Sequence, residues 1–208
     1  MYVDLSTTEL SWRDIYHLCI GFVNPRPIAL VSTISQDNRP NLAPFSFFNM
    51  VSGQPPVLMF CPALRRDGQP KDTLRNIRAT GEFVVATVTE AIVEQAVRAG
   101  ADLPTGQSEW EFAGLSPLPA RRVRPALVME SPVNIECRLR QIIELGSGPG
   151  GGNLVLGDIL ALHIADWILG VDGRVDPHKL RTVGRLGGEW YCTVSVPYRL
   201  KIPEAPGG

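Results

Sequence analysis

The sequence predicts a mainly β protein, a β-barrel with a few short helices. About seven segments show the β-branched or alternating apolar pattern that is typical of strands. Most of these segments follow one another after short turns, as the partners of antiparallel hairpins do. Helical segments are too few to supply the crossover connections of a parallel sheet, so a closed barrel is favoured.

The composition fits one such domain over residues 1–208. Of the 208 residues, 44% are apolar, which is enough for a sizeable core. The formal net charge of −1 gives no electrostatic case for binding nucleic acid or an anionic membrane. No apolar run approaches the roughly 20 residues that span a bilayer, and the N-terminal residues lack the apolar core of a secretory signal. A cytoplasmic location is therefore expected.

The cysteines and histidines do not indicate a metal site. The four cysteines are Cys19, Cys61, Cys137 and Cys192. They form no CxxC pair, which argues against zinc and against a redox dithiol, so we expect buried thiols. The three histidines also lack the spacing of metal ligands.

The first elements are a helix and a hairpin. Residues 10–20 are expected to form a short helix with Ser11 as its cap. Residues 28–34 are rich in β-branched side chains and predict a strand, which returns after a turn as a second strand over 41–48. Because Pro44 cannot donate a hydrogen bond, it predicts a sheet edge or a bulge there.

The middle of the chain alternates strands and helices. In order, we expect a strand over 57–61, a helix over 72–79, a strand over 83–88 and a helix over 90–99. Gly81 is placed to end the first of these helices, and Thr89 to cap the second. Residues 100–126 are rich in Gly, Pro and Arg and predict a long surface excursion, with Trp110 and Phe112 tucked beneath it.

The last part of the chain is again β. Residues 133–145 alternate, which predicts a strand with Ile135, Cys137 and Leu139 buried and the intervening Glu136, Arg138 and Arg140 in solvent. The remaining expected elements are a buried strand over 153–168, a helical turn after Asp176, a strand over 189–196 and a frayed tail over 204–208.

A glycine-rich segment matches a nucleotide-binding pattern without its context. Residues 146–151 fit GxGxxG, but that fingerprint requires a helix directly after the glycines. The segment 153–160, which comes after these glycines, is strand-like and is interrupted by Gly157. We therefore expect a flexible hairpin loop.

The segment Lys71-Asp72-Thr73 is a better candidate for an anion site. The start of a helix has unpaired backbone N–H groups and favours negative charge. A lysine and a hydroxyl at that position add a charged and a neutral donor, which suits a phosphate. The alternative is that Asp72 caps the helix and Lys71 points into solvent.

Two further segments are candidates for ligand contact. In the first, residues 41–46 have few long side chains, so a flat ring could approach their backbone, with Thr33 on the neighbouring strand. The second is Arg185-Leu-Gly-Gly188 with Tyr191, where the glycines allow a close approach and Arg185 could bind a phosphate or a carbonyl. Ordinary edge-strand and turn roles remain the alternatives. His178 and Arg65-Arg66 are weaker candidates for contact with a dinucleotide.

These segments together resemble the flavin reductase-like family of FMN-binding split barrels. The residues that show the resemblance are RPIALVST at 26–33, NLAPFSFFN at 41–49, Pro55-Pro56, KDTLRNI at 71–77 and VGRLGGEWY at 183–191. The resemblance implies a split β-barrel that dimerises, with one FMN at each subunit junction. By position it implies that the residues in contact with FMN are Thr33, Asn41, Ala43, Pro44, Ser46, Phe47, Lys71, Thr73, Arg185 and Tyr191.

The function that the resemblance implies is flavin reduction by NAD(P)H, in one form as the reductase component of a two-component monooxygenase. Such a reaction needs no protein base in the hydride step, and no catalytic residue is assigned. A flavoredoxin-like electron carrier with bound FMN is the main alternative. A flavin-free relative that binds haem and a pyridoxamine-phosphate-oxidase-like enzyme remain open.

Overall fold

The computed structural model describes residues 2–104, 106–203 and 205. The tail expected over 204–208 lies outside these residues except for Ala205. The helices are α1 (Trp12–Phe22), α2 (Asp72–Thr80), α3 (Val93–Arg98), α4 (Glu109–Ala113) and α5 (Pro177–Leu180), with a 3-10 turn at Asp166–Ile168. The strands are β1 (Arg26–Pro27), β2 (Ala29–Ile34), β3 (Pro40–Phe45), β4 (Phe48–Gly53), β5 (Pro56–Phe60), β6 (Glu82–Thr87), β7 (Pro117–Leu118), β8 (Leu127–Val128), β9 (Val133–Glu144), β10 (Asn153–Ile164), β11 (Val183–Arg185) and β12 (Tyr191–Thr193).

The architecture is a mainly β split barrel, as expected. A seven-stranded sheet has the order β3-β2-β6-β9-β10-β5-β4, and its strand pairs are antiparallel. Its edge strands β3 and β4 are separated only by Ser46 and Phe47, so the two edges of the sheet are close in sequence without pairing in the described residues. A smaller sheet, β1-β11-β12, and the β7-β8 pair complete the β structure.

Two apolar cores lie on opposite faces of the large sheet. One contains Ala29 and Val31 of β2 together with the aromatic rings of Phe45, Phe60 and Phe83. The ring centroid of Phe60 lies 5.2 Å from that of Phe45 and 5.5 Å from that of Phe83. Gly157 of β10 is required at this point, because a Cβ there would lie 2.3 Å from the Phe83 ring.

The second core lies between the sheet and the helices α3 and α4. Leu30, which points away from the first core because side chains alternate along a strand, packs here with Trp110 and Ala96. Trp110 is 3% exposed, so its predicted burial is confirmed. The prediction for Phe112 was wrong, since its ring is 51% exposed on the outer side of α4.

Several predicted boundaries of helices and strands are confirmed, and others differ from the prediction. The capping box of Ser11 and Asp14 opens α1, and Gly81 ends α2 in the left-handed conformation with φ of 70°. The third helix begins at Val93 and not at 90, because the backbone at Thr89 bridges Thr182 and Glu90 N donates to Arg181 O. The long strand β10 ends at Ile164, and the last strand spans only Tyr191–Thr193.

The sequence did not predict β4, which lies at an edge of the sheet and is mostly exposed. The chain turns at Ser46 and Phe47, so the strand expected to continue to 48 ends at Phe45. The expectation of buried thiols holds for Cys137, while Cys61 and Cys192 are half-buried and Cys19 is exposed. Cys19 lies on α1, whose only buried residue is Ile20.

Glu136 was expected in solvent, and this prediction was wrong. Its side chain is fully buried, because residues 121–123 fold over the outer face of β9. The backbone N–H groups of Arg121, Arg122 and Val123 donate to its two oxygens at 3.0, 2.6 and 3.0 Å. His163 Nε2 lies 2.5 Å from Oε1. Burial by itself would raise the pKa of Glu136, but these hydrogen bonds outweigh it and lower the pKa.

In the part of the chain that the structure describes, no helix is long and apolar enough to cross a membrane. Those residues also contain no group of three or more histidine, cysteine or acidic side chains placed to hold a metal ion.

Candidate functional site

A pocket of about 270 Å³ lies where β3, the start of α2, the helices α3 and α4 and the β11–β12 hairpin meet. Its walls come from segments that are far apart in sequence. The residues that line it are Ile28, Asn41, Leu42, Ala43, Pro44, Phe45, Ser46, Arg65, Lys71, Asp72, Thr73, Val93, Ala96, Val97, Ala99, Gly100, Ala101, Asp102, Glu109, Arg185 and Tyr191.

One wall of the pocket is the edge strand β3. Pro44 pairs in register with Leu30, and the lack of an N–H costs nothing on the free side of an edge strand. The predicted edge position of Pro44 is therefore confirmed. Gly100 follows α3 and packs tightly here, because a Cβ on it would lie 3.2 Å from the Pro44 ring. Small side chains such as Ala43 and Ser46 leave space beside the backbone of this wall.

A buried hydrogen-bond network fixes β3 to the start of α2. Asn41 Nδ2 donates to Thr33 Oγ1 at 3.1 Å and to Thr73 Oγ1 at 3.0 Å, and Asn76 Nδ2 donates to Thr33 Oγ1 at 3.1 Å. All four side chains are at most 9% exposed. The network brings Asn41 and Thr73 together in the pocket, whereas Thr33 lies beneath them and does not line it. Thr33 therefore positions Asn41.

The start of α2 opens into the pocket. Lys71 is the N-cap residue, and its side chain makes no capping hydrogen bond. Asp72 does not cap the helix either, because its carboxylate pairs with Arg65 at 2.6 Å and with Arg75. First-turn N–H groups have no partner within a helix. Thr73 accepts from Asn41 and still has its hydroxyl proton to donate.

The opposite wall is the hairpin between β11 and β12. The guanidinium of Arg185 donates to the carbonyl of Gly188 and to the hydroxyl of Tyr191, and lies 4.5 Å from the Tyr191 ring centroid. These contacts hold Arg185 at the pocket wall, where its charge remains without a carboxylate partner in the described residues.

The pocket also contains acidic side chains that the sequence did not single out. Glu109 is the first residue of α4, whose cap is Ser108. Burial raises the pKa of the Glu109 carboxyl, and the negative charge of Asp72 adds to the effect. The cap at Ser108 was the available signal, but it lies in a Gly- and Pro-rich stretch that predicted a loop.

The structure gathers most of the predicted residues in this pocket: Asn41, Ala43, Pro44, Ser46, Lys71, Thr73, Arg185 and Tyr191. Phe47 lies outside it, 40% exposed, with its ring centroid 6.3 Å from Tyr16 and 5.9 Å from the Arg26 guanidinium. Arg65 lines the pocket, whereas Arg66 and His178 do not.

This arrangement suits an anionic ligand with a flat polar ring. The N–H groups of α2, the ammonium of Lys71 and the hydroxyl of Thr73 are donors for an anion. The low wall of β3 leaves room for a ring beside the backbone. The described residues of the pocket include no cysteine, serine or histidine paired with a base as a nucleophile, which agrees with chemistry supplied by a cofactor.

Comparison with known proteins shows the family of the chain. The family model of the flavin reductase like domain matches residues 22–170. The solved structure of nitrilotriacetate monooxygenase component B from Bacillus cereus superposes with a TM-score of 0.89 at 31% identity, over 96% of this chain and 98% of that one. The structure of 2-nitrobenzoate 2-nitroreductase from Pseudomonas fluorescens superposes with a TM-score of 0.87 at 31% identity, over 100% of both chains.

An electron carrier is also among the similar structures. Flavoredoxin of Desulfovibrio vulgaris superposes with a TM-score of 0.72 at 25% identity, over 100% of both chains. The family model covers more than half of the chain, and the solved structures extend the likeness to its ends. The chain belongs to the flavin reductase-like domain family.

Proposed function

We propose that this protein is an FMN-binding oxidoreductase that reduces flavin with NAD(P)H. The observation that supports this most is the junction of β3 with the start of α2, where Asn41 and Thr73 are joined by a 3.0 Å hydrogen bond. A helix start whose donors suit a phosphate and a strand wall with small side chains thus line one pocket in a chain of this family.

In this proposal different residues bind different parts of FMN. Lys71, Thr73 and the first-turn N–H groups of α2 bind the phosphate, and Asn41, Ala43, Pro44 and Ser46 lie along the ribityl chain and ring. Arg185, held by Tyr191, supplies a positive charge on the opposite wall. FMN bound in this way would supply the redox chemistry. The residues of this chain would position it, and the hydride step on a flavin requires no protein base.

We propose that the site is completed by a second copy in a homodimer. The pocket volume of about 270 Å³ is at the lower end of the roughly 300–1,000 Å³ range of small-molecule sites. Phe47 comes directly after the pocket residue Ser46, yet it lies outside the pocket with its ring 40% exposed. It is thus placed to contact a ligand or a chain that approaches from outside.

A flavoredoxin-like carrier is the second candidate, and the likeness to flavoredoxin favours it. Its FMN would exchange electrons with other proteins, without direct turnover of NAD(P)H. If the protein is a reductase, the likeness to a monooxygenase component B supports an oxygenase as its partner. The cytoplasmic location stays a prediction.

An absorption spectrum separates these candidates. Purified protein is incubated with FMN, desalted, and then mixed with NADH or NADPH under anaerobic conditions. The reductase should retain the flavin band and bleach it with at least one nucleotide. A retained band that neither nucleotide bleaches supports the carrier. If no band is retained and added FMN is not turned over with either nucleotide, the proposed function is wrong.

A further inference from the structure

The chain continues beyond β12 as an extended segment, residues 194–203, which we call the C-terminal arm. Apolar side chains occur at every second position of the arm, and most of their surface is exposed. Their exposed fractions are 43% for Val194, 84% for Val196, 83% for Tyr198, 79% for Leu200 and 94% for Ile202.

The arm has the alternating pattern of an extended segment with one buried face, and it has no hydrogen-bonded partner among the described residues. Pro197, which has no N–H to donate, also favours docking through side chains over a regular ladder. Val194 N donates to Thr182 O at 2.8 Å, but the backbone of 195–203 makes no hydrogen bond to another described residue. Strict alternation is typical of a strand with one buried face, and Arg199 and Lys201 occupy the opposite face. Single exposed apolar residues are normal, whereas a row of five indicates a surface that is covered in the working protein.

A complementary surface lies at the free edge of the large sheet. Among the described residues, strand β4 pairs only with β5. On or beside β4, the side chains of Phe47, Met50 and Val51 are 40%, 55% and 53% exposed. A register shift between Met50 and Ser52 interrupts the β4–β5 ladder, so docking through side chains is favoured here over a continuous new ladder. We call these three residues the β4 patch.

Stoichiometry and area point to a second copy as the partner. Each copy has one arm and one β4 patch, so a two-fold symmetric pair satisfies both arms and both patches. At on the order of 100 Å² for each apolar side chain, the five side chains offer about 500 Å² per arm, and two arms offer about 1,000 Å² before the receiving surface is counted. Stable interfaces bury roughly 1,200–2,000 Å² in total, so exchanged arms would supply much of one.

We propose that the C-terminal arm of each copy lies across the β4 patch of a second copy. This inference rests on the proposed homodimer and adds the segment that holds it together. Since Phe47 follows the pocket residue Ser46, the arm would cover the surface directly beside the pocket of the other copy. Arg199 and Lys201 would face solvent, where positive charges discourage further strand addition.

Photo-crosslinking tests the contact directly. Tyr198→p-benzoylphenylalanine places a reactive ketone on the apolar face of the arm, and Val171→p-benzoylphenylalanine is the matched control at an exposed position outside it. After irradiation of the full-length protein, the arm variant should give a covalent product of twice 22.7 kDa, with the adduct mapped to 47–51. The control should give no adduct on those residues.

Products of single-chain mass, or adducts of the arm variant only outside 47–51, would overturn the proposal. Light scattering on the same samples separates failure of the arm contact from failure of the homodimer. A dimer without the adduct overturns only the arm contact, whereas a monomer overturns the homodimer as well. In a second variant, Leu200→Asp/Ile202→Asp, the dissociation constant of the dimer should rise by about tenfold or more. An unchanged constant would count against the arm.

Discussion

At the scale of single residues, Thr33 shows how a buried hydroxyl can matter to a site that it does not touch. Its Oγ1 accepts from both Asn41 and Asn76, and Asn41 in turn donates to Thr73. The hydrogen bond to the buried Thr33 therefore helps to fix the position and orientation of the Asn41 side chain in the pocket. The resemblance implied that Thr33 contacts FMN, and this contact stays a prediction. From the hydrogen bonds of Thr33 we propose that it also positions Asn41.

Thr33→Val should test this role, because it keeps the shape and removes the acceptor. Two buried amide donors lose their partner, so we expect the free energy of unfolding to fall by about 1–3 kcal/mol. FMN affinity should fall roughly fivefold, the equivalent of about 1 kcal/mol of lost orientation. Urea denaturation and flavin titration measure the two effects.

The control for this substitution is Thr33→Ser, which keeps the Oγ and should behave like the wild type in both measurements. If Thr33→Val retained both the stability and the FMN affinity of the wild type, the positioning role would be wrong.

At the scale of elements, Glu136 joins β9 to the loop that crosses it. Its carboxylate accepts three backbone N–H groups of 121–123 and lies beside His163 of β10. An uncovered Glu in a half-buried strand would face solvent, as the alternation predicted. The buried carboxylate thus acts as an anchor for the irregular segment.

Glu136→Gln should lower the free energy of unfolding by about 2–4 kcal/mol at pH 7. The variant replaces one carboxylate oxygen with an NH₂ group, which cannot accept a hydrogen bond from the backbone N–H groups. The lowered pKa of Glu136 means that its contribution is fully present above its ordinary value of 4.5. That contribution is lost as the pH falls through the lower folded-state pKa. Urea denaturation at pH 7 and at a series of pH values below 4.5 should therefore show the difference between wild type and variant shrinking as the pH falls.

Glu144→Gln is the matched control on the same strand, since its side chain is 68% exposed. It should change stability by no more than about 1 kcal/mol, as is usual for surface ion pairs. A Glu136→Gln variant as stable as this control would show that the buried carboxylate does not anchor the loop.

The elements that the sequence predicted well are those with local signals. The hairpin of β2 and β3 follows from β-branched residues and a turn, and α2 follows from its periodicity and from Gly81. The missed elements lack such signals: α4 is too short to show a helical period, and β4 is exposed at an edge. The burial of Glu136 depends on a loop whose path is set by tertiary contacts.

The site was predictable in composition but not in assembly. The segments at 41–46, 71–73 and 185–191 each suggest ligand contact, and the structure brings them to one pocket. The contact between Asn41 and Thr73 spans 32 positions, so no local rule places it. Glu109 joins the pocket through α4, and Phe47 leaves it because the chain turns at the edge of the sheet. The roles of these residues toward FMN remain predictions.

At the scale of the whole molecule, the exposed apolar surface next to the pocket predicts a dimer. Phe47, Met50 and Val51 are exposed on or beside the edge strand β4, and the ring of Tyr16 lies 6.3 Å from that of Phe47. Light scattering should give a mass of twice 22.7 kDa for the wild type. Phe47→Asp places a charge in this surface and should shift the protein toward the monomer and weaken FMN binding together.

Phe112→Asp is the control for this variant, because Phe112 is also exposed but lies on the far side of α4. It should remain a dimer with normal FMN affinity. A Phe47→Asp protein that is monomeric yet binds FMN as tightly as the wild type would contradict a site completed by the second copy.

The measurement that tests the central claim most directly compares FMN with riboflavin, which differs only by the phosphate. For Lys71→Ala/Thr73→Ala, we expect FMN binding to weaken by about 2–4 kcal/mol, or roughly 30- to 700-fold, because two hydrogen bonds to a charged group are lost. Riboflavin affinity should fall by no more than about fivefold, because Thr73→Ala also removes one of the two acceptors that orient Asn41, and the retained riboflavin binding shows that the variant is folded. Unchanged FMN affinity, or equal losses for both flavins, would contradict a phosphate site at the start of α2.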